Sequence, residues 1–303
     1  MVPLLWCALA DTDMVYVPND MVLIHEWGVI EVSELYLEVE GCPDGFIDDQ
    51  GYFQEYPVAE VTAPVVYFHG AECSGTFSVE IHDGYFTTLL PYPDSIAHAA
   101  VPGLPGSDVY TAVWEDLRIS WAPPLLDAIT ETTRGPYMMD CFSWAVPFWR
   151  EVPGNYVNYP AADFEDVFLY YESVMNNAEM FMGDYYNHRG EALIFFPEDG
   201  ELTCVKVTVP DEADARGETL SDLEIMTELC DWAHNGLKSA EITALWKTWR
   251  PLLRTRCELE GQTLMLFPLT VEQEEMVSTI RFVPMQNGLL VSYERLLLGL
   301  GAI

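Results

Sequence analysis

Val65-Val66-Tyr67-Phe68-His69-Gly70-Ala71-Glu72-Cys73-Ser74-Gly75-Thr76-Phe77-Ser78-Val79-Glu80-Ile81-His82-Asp83-Gly84 holds the two strand signatures from which the rest of the chain can be read. Val65 to Phe68 is a continuous apolar run, the mark of a strand covered on both faces. Phe77, Val79 and Ile81 alternate with Ser78, Glu80 and His82, the two-residue period of a strand with one buried face. Asp83-Gly84 then offers two residues that tolerate positive φ, which predicts a tight hairpin turn.

Outward from this stretch the same signals recur. Leu35, Leu37 and Val39 alternate with Tyr36, Glu38 and Glu40. Leu193 to Phe196, then Pro197-Glu198-Asp199-Gly200, then Leu202 to Val209 reads as a hairpin. Short strands punctuated by Gly, Pro and Asp predict an α+β, mainly β protein, with an antiparallel β-sandwich-like body over residues 11–210. Within it, 91–160 is rich in Pro and Trp with little periodicity and is expected to form long packed loops. Residues 163–182 are expected to hold one helix.

The pattern changes near residue 211. Ser221-Asp222-Leu223-Glu224 is a capping box, in which hydroxyl and carboxylate each satisfy a free backbone N–H. Leu223, Met226, Leu229, Cys230 and Ala233 follow at helical spacing, and Asn235-Gly236 provides a left-handed stop. Ser239 is expected to cap a second helix carrying Ile242, Leu245, Trp246 and Trp249, which Pro251 ends or bends. Helices over about 221–235 and 240–250, followed by strands at 263–269, 280–284 and 289–297, make 211–303 an α+β C-terminal region. Eight of the 13 basic residues lie from Arg216 onward, so this end differs in charge as well.

Charge excludes one class of function. The chain carries 49 acidic and 13 basic side chains, and residues 1–117 contain no Lys or Arg against twenty Asp and Glu. Nucleic-acid binding needs clustered cations to displace counterions from phosphate, so no nucleic-acid partner is expected. A formal net charge of −36 repels itself and is eased by salt or divalent cations, which points to a halophilic-like protein or a calcium-rich exterior.

Residues 1–10, ending Ala8-Leu9-Ala10 before polar Asp11-Thr12-Asp13, read as the close of a secretory signal. The run is short and lacks a basic start. Cys7 raises a lipoprotein alternative, although Trp6 stands where a small residue is wanted. No other stretch is long and apolar enough for a transmembrane segment. Cys42, Cys73, Cys141, Cys204, Cys230 and Cys257 remain after the leader, an even number that favours disulfides in an exported chain, with Cys230 and Cys257 as the pair two antiparallel helices bring together. Localisation is accordingly expected to be periplasmic, cell-surface or extracellular.

His25-Glu26-Trp27-Gly28, Ala63-Pro64-Val65-Val66-Tyr67-Phe68, Thr248-Trp249-Arg250 and Leu264-Met265-Leu266-Phe267-Pro268 occur in that order. In these blocks the chain resembles a family of exported bacterial proteins of myxobacteria and planctomycetes. Those proteins begin with His-Glu-Trp-Gly, continue with a Thr-Pro-Val-Ile-Tyr-Phe-Tyr strand, and carry a later Thr-Trp-Arg helix and an apolar strand running into proline. Ala63 and His69 depart from the pattern where Thr and Tyr are usual. The resemblance implies export and a shared fold, and carries no mechanism across.

Three groups of residues are candidates for chemistry. Asp44, Asp48 and Asp49 surround Gly45 in a spacing like that of thrombospondin type 3 calcium loops, and hard carboxylate oxygens suit Ca2+, the one cofactor this predicts. His25 and Glu26, with His69 and His82 on neighbouring strands, supply the residue types of a transition-metal site with catalytic potential. Against it, His25 and Glu26 are adjacent, so on a regular strand they face opposite sides. The plainer alternative has His25 hydrogen-bonded within the fold and Glu26 paired with an arginine such as Arg189. The aromatic-rich segment from Trp114 to Tyr159 offers either core or a platform for sugars and peptides. There is no Gly-x-Ser-x-Gly elbow and no phosphate-binding glycine loop. The leading expectation is a non-enzymatic, exported structural or binding protein with a protein or glycan partner at the cell surface. The alternative is a metal-dependent hydrolase using the His/Glu residues.

Overall fold

The computed structural model of the chain describes residues 19–33, 45–47, 53–55, 58–100, 108–121, 142–175, 190–209, 219–234 and 236–303. Residues 1–10, expected to close a secretory signal, the strand expected at 35–39 and Asp44, Asp48 and Asp49 lie outside them. The strands are β1 (Met21–Ser33), β2 (Gly45–Ile47), β3 (Phe53–Glu55), β4 (Val58–Gly70), β5 (Cys73–His82), β6 (Gly84–Leu90), β7 (Ser95–Ala100), β8 (Asp108–Ser120), β9 (Tyr156–Tyr159), β10 (Phe164–Asp166), β11 (Phe168–Met175), β12 (Gly190–Glu198), β13 (Glu201–Val209), β14 (Leu264–Pro268), β15 (Ser278–Pro284) and β16 (Leu290–Ala302). The helices are α1 (Val146–Arg150), α2 (Asp222–Trp232), α3 (Ser239–Glu260) and α4 (Val271–Val277).

The protein is α+β and mainly β. A large sheet runs β13-β12-β14-β16-β1-β4-β11-β6, a smaller one runs β10-β9-β8-β5-β15 with β7 also on β8, and β2 pairs with β3. The pairing is antiparallel except between β1 and β16, which lie parallel from Met21–Leu290 to Val32–Gly301.

Alternation along β1 and β4, interrupted by one register shift between Trp27 and Val29, sorts their side chains between two cores. Ile24, Val66 and Phe68 join Phe77, Val79, Ile81 and Trp114 between the two sheets. Trp27, Val65 and Tyr67 join Leu229, Leu245, Trp249 and Leu253 beneath the helices. The large sheet is thus a middle layer, with the small sheet on one face and α2 and α3 on the other. Being covered on both sides is why Val65 to Phe68 is apolar without a break.

Several expectations are corrected. Asp83, at φ 51°, does turn the chain, but β5 and β6 do not pair: β5 stays in the small sheet while β6 joins β11 at the edge of the large one. The turn is a crossing between layers. The hairpin of β12 and β13 closes through Asp199 at φ 53° and Gly200 at φ 83°, as its Asp-Gly chemistry demands. The helix expected over 163–182 is replaced, as far as it is described, by β10 and β11. Phe168, Leu169, Tyr170 and Tyr171 are buried in succession because β11 also sits in the middle layer. The stretch expected as loops contains β7, β8, β9 and α1.

Pro251 does not end α3, which runs on to Glu260 and stops at Gly261, at φ 69°. That extension is the physical reason Cys230 and Cys257 form no disulfide. At about 1.5 Å per residue, Cys257 lies nearly 30 Å along α3 from the turn joining the helices, whereas Cys230 is within the last turn of α2. Cys73, Cys204 and Cys257 are buried free thiols, pushed up in pKa first by burial. The compositional change at 211 marks no seam in the sheet, since β14 and β16 from beyond it are neighbours of β12 and β1. Among the described residues no helix is long and apolar enough to cross a membrane.

Candidate functional site

The polar centre of the protein lies where the start of α3 meets the middle of β1 and β4. His25 pairs in register with Tyr67, and His69 with Leu23, so the two imidazoles are diagonal neighbours on the helix-facing side of the sheet. Their rings meet edge to face with centroids 4.4 Å apart.

Glu241 reaches them from the first turn of α3. The N-cap is Lys238 and not Ser239, and the Glu241 carboxylate turns back to accept the Lys238 backbone N–H at 2.6 Å, one half of a capping box. The positive end of the helix dipole favours a negative charge there. The same carboxylate contacts His25 Nδ1 at 3.0 and 2.8 Å and His69 Nε2 at 3.1 Å. Burial pushes the Glu241 carboxyl up, but the hydrogen bonds from His25 and His69 outweigh it and hold the pKa down at about 2. Burial also pushes the His69 pKa down, against the pull of Glu241, and pushes the Tyr67 hydroxyl well up, with the Glu241 charge adding to the effect.

Lys238 completes the group. Its Nζ lies 3.0 Å from His69 Nδ1 and donates to the Pro153 carbonyl at 2.8 Å. An ammonium has no acceptor, so His69 Nδ1 accepts and the ring proton sits on Nε2, facing Glu241. His25 likewise donates from Nδ1 to the ionised carboxylate. That leaves His25 Nε2 inside the core with no hydrogen-bond partner. The exposures of His25, His69 and Glu241 are 0, 2 and 0%, so the cluster is sealed from solvent.

Glu26 faces the other way, as alternation along β1 requires. Between the sheets it accepts from Tyr171 Oη at 2.6 Å and from Arg295 Nε at 2.6 Å. Arg295 also donates to the Ser278 carbonyl and hydroxyl, at 3.0 and 2.7 Å. The arginine partner of Glu26 is therefore Arg295; Arg189 lies outside the described residues. Burial raises the Tyr171 pKa first, and the neighbouring Glu26 charge raises it further. Glu274 borders this network with its carboxyl pushed up to about 7 by burial.

His82 belongs to neither group: it stands at the end of β5, where Nε2 meets the exposed Thr279 hydroxyl at 3.2 Å. The structure thus brings His25 and His69 together and leaves Glu26 and His82 out. Within the aromatic-rich segment, Trp114, Trp149 and Tyr159 are core, while Trp121 and Trp144 stand at the surface.

Glu241 and Lys238 escaped the sequence reading. Their signal is the Glu standing three residues after the N-cap, hidden because lysine is an unusual cap and Ser239 next to it a common one. No protein-family model matches the chain, and no curated protein matches it.

Proposed function

We propose that the chain is an exported, non-enzymatic structural or binding protein of the cell envelope or exterior, of the type that begins with His-Glu-Trp-Gly, whose polar centre ties its layers together. The observation that carries the proposal is the enclosure of that centre. His25, His69 and Glu241 are at most 2% exposed and use their polar atoms chiefly on one another, joining β1, β4 and α3. A hydrolytic centre keeps a position open for water and substrate, whereas a sealed ion-pair cluster acts on the fold.

Export is supported by the Ala8-Leu9-Ala10 boundary, the block resemblance and a surplus of acids suited to a medium rich in ions. Ca2+ at Asp44, Asp48 and Asp49 belongs to the same proposal, as do the absence of a nucleic-acid partner and a surface-bound protein or glycan partner. Trp121 at 57% exposure and Tyr92 at 54% offer aromatic surface for the partner.

Fractionation of the producing cells, with mass determination of the native N-terminus, tests the proposal. The expected result is a chain processed near Ala10 in the envelope or medium. An intact Met1 in the cytosolic fraction overturns export. Hydrolysis of peptide or ester substrates by pure protein, abolished in His25→Ala with the fold intact, overturns the non-enzymatic role.

A further inference from the structure

We propose that the His25–His69–Glu241 cluster is a binding site for one first-row transition-metal ion of the Zn2+ class, which locks α3 onto β1 and β4. This rests on the structural role proposed above for the same cluster and names the ligand that role would take.

One imidazole nitrogen from each histidine and one carboxylate oxygen of Glu241 all lie within 4.8 Å of one another. Zinc binds nitrogen at about 2.0–2.1 Å and carboxylate oxygen at about 2.0–2.2 Å, so donors around one ion stand roughly 3 to 4 Å apart. The measured separations of 2.8 Å for His25 Nδ1 to Glu241 and 3.1 Å for His69 Nε2 to Glu241 need only a slight opening to admit it. The donors sit on two paired strands and a helix start, elements that hold them in place without the ion.

The donor set chooses among metals. Two imidazoles and one carboxylate suit zinc, copper, nickel or iron, whereas Ca2+ and Mg2+ take oxygen. This site is therefore chemically distinct from the candidate calcium ligands Asp44, Asp48 and Asp49.

Hydrogen bonding alone also leaves the site incomplete. His25 Nε2 is buried with no partner, although its ring is 0% exposed. The three-donor site takes His25 through Nδ1, the nitrogen that faces Glu241, with the carboxylate as a ligand, and the ring proton moves to the unpartnered Nε2. At His69, Nε2 carries the ring proton while Lys238 donates to Nδ1, so an ion taken up there displaces that proton to solvent. Lys238 is thus a competitor for the metal-bound state and not a ligand.

The test uses the full chain purified without a histidine tag. It is stripped with chelator, checked for folding by circular dichroism, reloaded with Zn2+ or Co2+, and freed of excess. The expected result is one ion per chain, a visible ligand-field spectrum for Co2+ of four-coordinate ligation by two imidazoles and both Glu241 oxygens, and a melting temperature raised by Zn2+ but not by equal Ca2+. His69→Gln and Glu241→Gln should weaken binding by more than roughly a hundredfold, beyond the effect expected of an outer-shell change. Lys238→Met should bind at least as tightly as the parent, and His82→Ala should match it. If the ligand variants fail to fold, the Co2+ spectrum and stoichiometry of the parent decide.

Folded parent protein that retains no ion after loading overturns the site, as does binding unchanged in both ligand variants. Either outcome leaves the structural, exported role standing. A zinc-loaded protein that turns over substrate, with activity lost in His25→Ala, keeps the ion and overturns that role instead.

Discussion

Replacing Glu274 with glutamine should make the protein more stable at pH 8 and leave it nearly unchanged at pH 4.5. Glu274 opens the way to this because its carboxyl is 7% exposed, accepts the Leu297 N–H at 2.9 Å, and has its pKa raised from 4.5 to about 7, first by burial and also by the nearby charge of Glu26. An acid with a raised folded-state pKa holds its proton more tightly folded than unfolded. Below pH 4.5 both states are protonated and the group costs nothing. Between about 4.5 and 7 the unfolded chain ionises first, so stability falls as pH rises; above 7 the full penalty is present and constant. A gap of about 2.5 units at 1.36 kcal/mol each sets that penalty at about 3 kcal/mol, as an order of magnitude. Glutamine keeps an oxygen for the Leu297 N–H and has nothing to ionise. Urea unfolding of parent and variant at pH 4.5, 6 and 8 measures the difference, and subtraction removes the general effect of the chain's large negative charge. The variant should gain about 3 kcal/mol between the extremes, and a difference that stays within about 0.5 kcal/mol across the range refutes the reasoning.

Tyr171→Phe removes the hydroxyl that donates to Glu26 at 2.6 Å, leaving that buried carboxylate short of a partner; it should cost about 1.5–3 kcal/mol in denaturant unfolding. Gly84→Ala places a Cβ 2.2 Å from the Val174 carbonyl oxygen, a backbone atom that cannot swing aside, so the β6–β11 edge should loosen, with a loss of at least about 2 kcal/mol and faster amide exchange in β11. Pro251→Ala restores an N–H in the exposed middle of α3; it should raise the melting temperature, with a gain of up to about 3 kcal/mol, and an unchanged or lower value would show that the proline is accommodated without cost. Peptide mapping without reductant should find no bridge between Cys230 and Cys257.

What could be read from the sequence was local. The Asp199-Gly200 hairpin, the alternation of β5 and the capped start of α2 each follow from a few adjacent residues. The two-sided burial of Val65 to Phe68 was legible too, because a strand in a middle layer can afford no polar face. The same logic applied to Phe168-Leu169-Tyr170-Tyr171, but the long stretch of mixed composition around it matched a helix equally well. Asp83-Gly84 specifies a turn and says nothing of which sheet the chain enters next. The site divides in the same way. Opposite facing of His25 and Glu26 follows from strand geometry alone, whereas Glu241 stands 172 positions from His69 and meets it only because α3 packs across β1 and β4. Likewise Arg295 reaches Glu26 only through the parallel register of β16 beside β1.

That register also dictates an order of events. Residues 290–302 fill the slot between β14 and β1, near the centre of the large sheet. While the chain is being made, β1 has one flank without its neighbour until about 260 residues have followed it. During that interval an open strand edge is a template for pairing with other chains. Until β16 arrives, charge repulsion between early chains opposes that pairing, and residues 1–117, with twenty acids and no Lys or Arg, supply it.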